Sequence, residues 1–75
     1  MTKLPVLSAR EVVKGLTNQE FQVVSQKGSH IKMKKKNSKE TRVVIIPDYD
    51  EIPVGTLKSI IRQSGLTPEE FIRLF

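Results

Sequence analysis

The chain has no cysteine and a single histidine among its 75 residues. Without cysteine there is neither a disulfide framework nor a thiolate metal site, and one imidazole is a poor basis for a zinc centre built from protein ligands. Long apolar runs are missing too. No window approaches the roughly 18 consecutive apolar residues of a membrane span, and the N-terminus shows no secretory apolar region. These absences lead us to expect no cofactor, no metal and no membrane contact, and a cytoplasmic location. Length is also scarce: a chain of this size hides only roughly 60% of the surface it would expose unfolded, so residues 1–75 read as one domain with a small core.

Charge, by contrast, is abundant and uneven. The net charge is +5, but Lys27, Lys32, Lys34, Lys35, Lys36, Lys39 and Arg42 against Glu40 give +6 within residues 27–42, leaving −1 for the remainder. A compact basic stripe on an otherwise balanced domain is the electrostatic footprint of a protein that contacts phosphates. The bland reading is a solvated hairpin tip, because lysines on edges and turns discourage aggregation. It applies best to Lys35, Lys36 and Lys39, around Asn37-Ser38.

The order of elements can be read along the chain. Ser8-Ala9-Arg10-Glu11 forms a capping box, Leu7 staples the start of the helix, Val12, Val13 and Leu16 form its apolar stripe, and Gly15 lies where it should end. Phe21 to Ser25 is rich in aromatic and β-branched residues, and Gln26-Lys27-Gly28 offers a turn into a second strand. The polar run Lys35 to Glu40 reads as a connection to Thr41–Ile46, the strongest strand signal, which Pro47 stops for want of an amide to donate. An acidic loop leads to a helix starting near Val54 or Gly55, with Leu57, Ile60 and Ile61 on one face and Gly65 at its end. Thr67-Pro68-Glu69-Glu70 opens a short last helix by the same capping logic. This is an α+β chain in the order α-β-β-β-α with a small helix appended. We expect a three-stranded antiparallel sheet covered by helices on one face, the other face being left for a ligand.

Period-two alternation in the second strand puts His30, Lys32 and Lys34 on one face and Ser29, Ile31 and Met33 on the other. On the third strand, either Val43 and Ile45 or Arg42, Val44 and Ile46 must share the His30 face. A ring that gains or loses a proton near neutral pH, flanked by ammonium groups, suits attack on a polyanion such as RNA. RNA carries its own nucleophile, the 2′-hydroxyl, so a nuclease without metal needs only a base to take that proton and cations to stabilise the phosphorane. His30 is the candidate base, and Lys27, Lys32 and Lys34 the candidate phosphate contacts. Ser29 is placed to orient the ring or touch a phosphate, or else to cap its own turn. The proton donor to the leaving 5′-oxygen is open among Lys27, Tyr49 and water, and Tyr49 has the simpler role of packing against a helix.

Three segments together carry a family resemblance: Lys27-Gly28-Ser29-His30 at the start of the second strand, the third strand closing on Pro47, and the helix Gly55-Thr56-Leu57-Lys58-Ser59-Ile60-Ile61-Arg62-Gln63-Ser64-Gly65-Leu66. Over nearly its whole length the chain resembles the HicA family of toxins from type II toxin–antitoxin systems. The resemblance implies a double-stranded-RNA-binding-domain-like fold, endoribonuclease activity on mRNA, and a HicB-like antitoxin that covers the active site. It maps the family's catalytic histidine onto His30. Some relatives carry a further histidine after the closing proline, where this chain has Asp48-Tyr49-Asp50. The rival reading is a non-catalytic RNA-binding module of the same fold, recognising RNA by shape and phosphate contacts alone.

Overall fold

A computed structural model describes residues 3–37 and 39–75. Its elements are α1 (Ala9–Thr17), β1 (Gln22–Lys27), β2 (His30–Lys36), β3 (Thr41–Pro47), α2 (Val54–Ser64) and α3 (Pro68–Ile72). The three strands form one antiparallel sheet in the order β1-β2-β3, so the α+β architecture with α-β-β-β-α order and a short final helix is the one the sequence predicts.

Local chemistry accounts for most of the boundaries. The Ser8 hydroxyl accepts from the Glu11 amide at 3.2 Å while the Glu11 carboxylate accepts from the Ser8 amide at 3.0 Å, completing the capping box of α1. Thr67 and Glu70 repeat this pair at the start of α3, with Pro68 in the first turn. α2 ends on Gly65, whose φ of 79° lies in the left-handed region that glycine adopts without penalty.

Three sequence expectations need correction. Gly15 does not end α1, which continues to Thr17; it is buried, and a Cβ there would press on Phe75 and Leu74, so its role is to let the C-terminal segment approach closely. The first hairpin turns on Gly28 and Ser29, not on residues 26–28: β1 runs through Lys27, which pairs with His30, and Gly28 takes a φ of 60° at the first central position, as a type II′ turn demands. Lys35 and Lys36 belong to β2 rather than to the connection, since they pair with Arg42 and Thr41. The connection itself is tightened by Asn37, whose side-chain oxygen accepts from the Lys39 and Glu40 amides at 2.9 and 2.8 Å.

Alternation then divides the sheet. Ile31 and Met33 of β2 and Val44 and Ile46 of β3 point inward and pack with Val12 and Leu16 of α1, Leu57 and Ile60 of α2, and Phe71 of α3. Each such side chain contributes about 1.5–3 kcal/mol when fully buried, so this single layer of contacts between sheet and helices holds the domain together. On the opposite face Lys32, Lys34, Val43 and Ile45 are exposed. It is the surface on which the candidate residues His30, Lys32 and Lys34 lie.

Candidate functional site

The open face is assembled by strand register. In the β2–β3 ladder His30 lies opposite Pro47, Lys32 opposite Ile45 and Lys34 opposite Val43; in the β1–β2 ladder Lys27 lies opposite His30. Side chains of directly opposed residues share a face, which brings Lys27, His30, Lys32 and Lys34 together beside Val43 and Ile45. All six are exposed, Val43 and Ile45 by 37% and 38%. The choice left open on β3 is thus resolved: Val43 and Ile45 face outward, while Val44 and Ile46 are buried.

Ser29 also lies beside His30, but in the turn and exposed rather than on the inner face of a strand. Its carbonyl accepts from the Asp48 amide at 2.7 Å, which ties the hairpin tip to the end of β3. That tie, together with a Tyr49 amide that donates to Pro47 at 2.8 Å and a Tyr49 carbonyl that accepts from Ala9 at 2.9 Å, fixes the backbone of Tyr49 next to the hairpin tip. Tyr49 is only half covered, so it is available to a ligand as well as to the packing the sequence suggests. It is 48% exposed and lines a groove with His30.

This groove, of about 570 Å³, runs between the end of the sheet and α2 and is lined by His30, Ile45 and Pro47 on one side and by Gly55, Thr56, Ser59 and Gln63 on the other. Among the described residues none that lines it is acidic. α2 is anchored along it by a hydrogen bond from the Ile45 amide to Gln63 Oε1 at 3.0 Å, and the Ser59 hydroxyl donates to Gly55 O at 3.3 Å. The N-cap of α2 is Pro53, which supplies no side-chain acceptor, so the first-turn amides have no side-chain cap at the groove's end.

The basic stretch is divided rather than uniform. Lys36 continues the outer row two residues beyond Lys34 and flanks a shallow depression with Gln22 and Val24. Lys35 points the other way and holds its ammonium 5.8 Å from the Phe21 ring centroid, a cation–π distance. Arg42 is paired with Glu40 at 3.1 Å and lies against Gly65. Reading by sequence counts Lys36 in the basic stripe but places it in the connection, and gives Thr56, Ser59 and Gln63 no place beside His30. Strand alternation extended by two residues reveals the first, whereas the other three reach His30 only through the packing of α2. Among the described residues no group of three or more His, Asp or Glu side chains is placed to hold a metal ion, and no helix is long and apolar enough to cross a membrane.

Comparison with known proteins identifies the fold's family. Among curated proteins there is no significant match. The family described as HicA toxin of bacterial toxin-antitoxin matches residues 9–66, which span α1, the whole sheet, α2 and the turn after it, and so every residue of the open face and groove. On that match, over well beyond half its length, the chain belongs to the HicA family, the toxins of bacterial toxin–antitoxin systems.

Proposed function

We propose that this toxin is an endoribonuclease that cleaves single-stranded or locally unpaired mRNA in the cytoplasm, with His30 as general base, and that a HicB-type antitoxin silences it. The observation that carries the reading is the presentation of the chain's sole imidazole on an open, cationic sheet face at the mouth of a groove that, among the described residues, no acidic one lines. In the proposed reaction neutral His30 takes the proton of a ribose 2′-hydroxyl, the 2′-oxygen forms a bond to the adjacent phosphorus, and the bond from phosphorus to the 5′-oxygen breaks as that oxygen gains a proton. The products are a 2′,3′-cyclic phosphate and a 5′-hydroxyl. A positioned base of this kind supplies on the order of 10² to 10⁴ in rate.

Lys27, Lys32 and Lys34 stabilise the extra negative charge of the phosphorane and hold the flanking phosphates. Residues two apart on a strand are spaced by about 7 Å, close to the rise between neighbouring phosphates of an extended strand, so a row of lysines suits a single strand better than a duplex. Ser29 contacts phosphate from the turn. Tyr49 and Lys27 flank His30 and are the protein groups available to protonate the leaving oxygen. Val43 and Ile45 give the same face an apolar strip, which suits cover by a partner combining acidic and apolar side chains.

The test is the chemistry of the ends. A labelled transcript incubated with the protein should yield 2′,3′-cyclic phosphate and 5′-hydroxyl ends, in the presence of a chelator as well as without it. Replacing the ribose by 2′-O-methyl ribose at a cleaved position should stop cleavage there. Ends carrying 5′-phosphate, or cleavage at the blocked position, would overturn the mechanism. A transcript left whole while binding persists would leave the non-catalytic RNA-binding module as the function.

A further inference from the structure

Gln63 is held in a way that determines what it presents to the groove. The Ile45 amide on the outer edge of β3 is a donor only, so the Gln63 atom that faces it at 3.0 Å must be the carbonyl oxygen. The amide nitrogen of Gln63, with two N–H donors, is therefore the end left over. The strand edge thus sets the orientation of a side chain that would otherwise be free to flip.

We infer that Gln63 reads a nucleobase in the groove through its side-chain N–H donors and favours uracil over cytosine. This rests on the reading of the groove as an RNA site. A volume of about 570 Å³ holds a nucleotide, and Tyr49, half exposed on the same groove, offers an aromatic face for stacking. Glutamine commonly reads adenine with both ends of its amide, oxygen to the exocyclic amine and nitrogen to N7. Here the oxygen is turned to Ile45, and the half of that pairing that selects an amino group is lost. What remains is a donor, which matches O4 of uracil, O6 of guanine or N7 of either purine, and opposes the amine of cytosine at the equivalent position.

Uracil and cytosine have similar size and stacking and differ mainly at that edge, so they form the discriminating pair. The experiment measures the affinity of 2′-O-methyl octamers of uridine and of cytidine, which cannot be cleaved, for wild type, Gln63→Glu and Gln63→Ala. The carboxylate that Gln63→Glu introduces is expected to keep an oxygen for the Ile45 amide and thus the same anchoring, but to lose both donors. Wild type should prefer the uridine octamer about fivefold, the lower end of what a base-edge contact provides. Gln63→Glu should reverse the order, and Gln63→Ala should bring the ratio near one. The added negative charge weakens both octamers alike, so the ratio isolates the base contact. Equal affinities in wild type, or a ratio that Gln63→Glu leaves unchanged while its melting temperature matches wild type, would overturn the inference. Because no cleavage is read, failure of the nuclease mechanism and failure of this contact are separate results.

Discussion

The division of the basic stretch makes a quantitative prediction about salt. Each lysine that neutralises a phosphate of a single strand contributes about −0.7 to the slope of log affinity against log salt. Four outward lysines, Lys27, Lys32, Lys34 and Lys36, therefore give a slope of about −2.8, and affinity should fall about 50-fold between 50 and 200 mM salt. Replacing Lys32 and Lys34 by alanine halves the slope to about −1.4, and the same change in salt should then cost only about sevenfold. The internal control lies next door in the sequence. Lys35 is held over Phe21 on the other side of the sheet, so Lys35→Ala should weaken the fold slightly and leave the slope near −2.8. Fluorescence anisotropy of a labelled 2′-O-methyl oligonucleotide at three salt concentrations measures all three proteins without interference from cleavage. A slope that falls as much for Lys35→Ala as for one of the outward lysines, or that ignores Lys32 and Lys34, would refute the assignment of the face.

Stability offers further checks. Gly65→Ala forces a Cβ into the left-handed region and against the Arg42 guanidinium, and should cost about 1–2 kcal/mol in a denaturant titration; an unchanged midpoint would mean that this cap is not what ends α2. Phe71 is fully buried, and Phe71→Ala should cost about 3–5 kcal/mol, enough to leave much of the protein unfolded at 37 °C by circular dichroism. The Thr67 backbone amide, and next the Thr67 hydroxyl, hold the Glu70 carboxyl below the usual carboxylate range. A folded-state value that is lowered adds stability above the unfolded value and loses it as pH falls through the folded one. The melting temperature of wild type should therefore exceed that of Glu70→Gln at neutral pH, with the gap closing in acid; a gap independent of pH would remove the carboxylate from the cap.

What the sequence made legible follows the range of the interactions. Both capping boxes involve residues three apart, and the alternation of His30, Lys32 and Lys34 against Ile31 and Met33 needs only the pleat of one strand, so these were readable directly. Gly15 reads locally as a helix end because the group it accommodates, the Phe75 ring, arrives from the far end of the chain. Lys36 reads as loop from its polar neighbours, whereas its pairing with Thr41 starts the turn at Asn37. The groove was the least legible part. Thr56, Ser59 and Gln63 are polar residues on a helix whose apolar stripe announces only which way it faces the core, and nothing local says that its other flank lies along the strand that ends beside His30.

The most direct test of the account is the cleavage rate constant of His30→Ala relative to wild type, measured on one transcript under single-turnover conditions. His30 is exposed and outside the core, so the variant should melt with wild type while its rate falls on the order of 10²- to 10⁴-fold, the contribution of a general base. A folded variant that cuts at a rate within about twofold of wild type, where a base of this kind is worth at least about 10², would contradict the claim that this imidazole performs the chemistry.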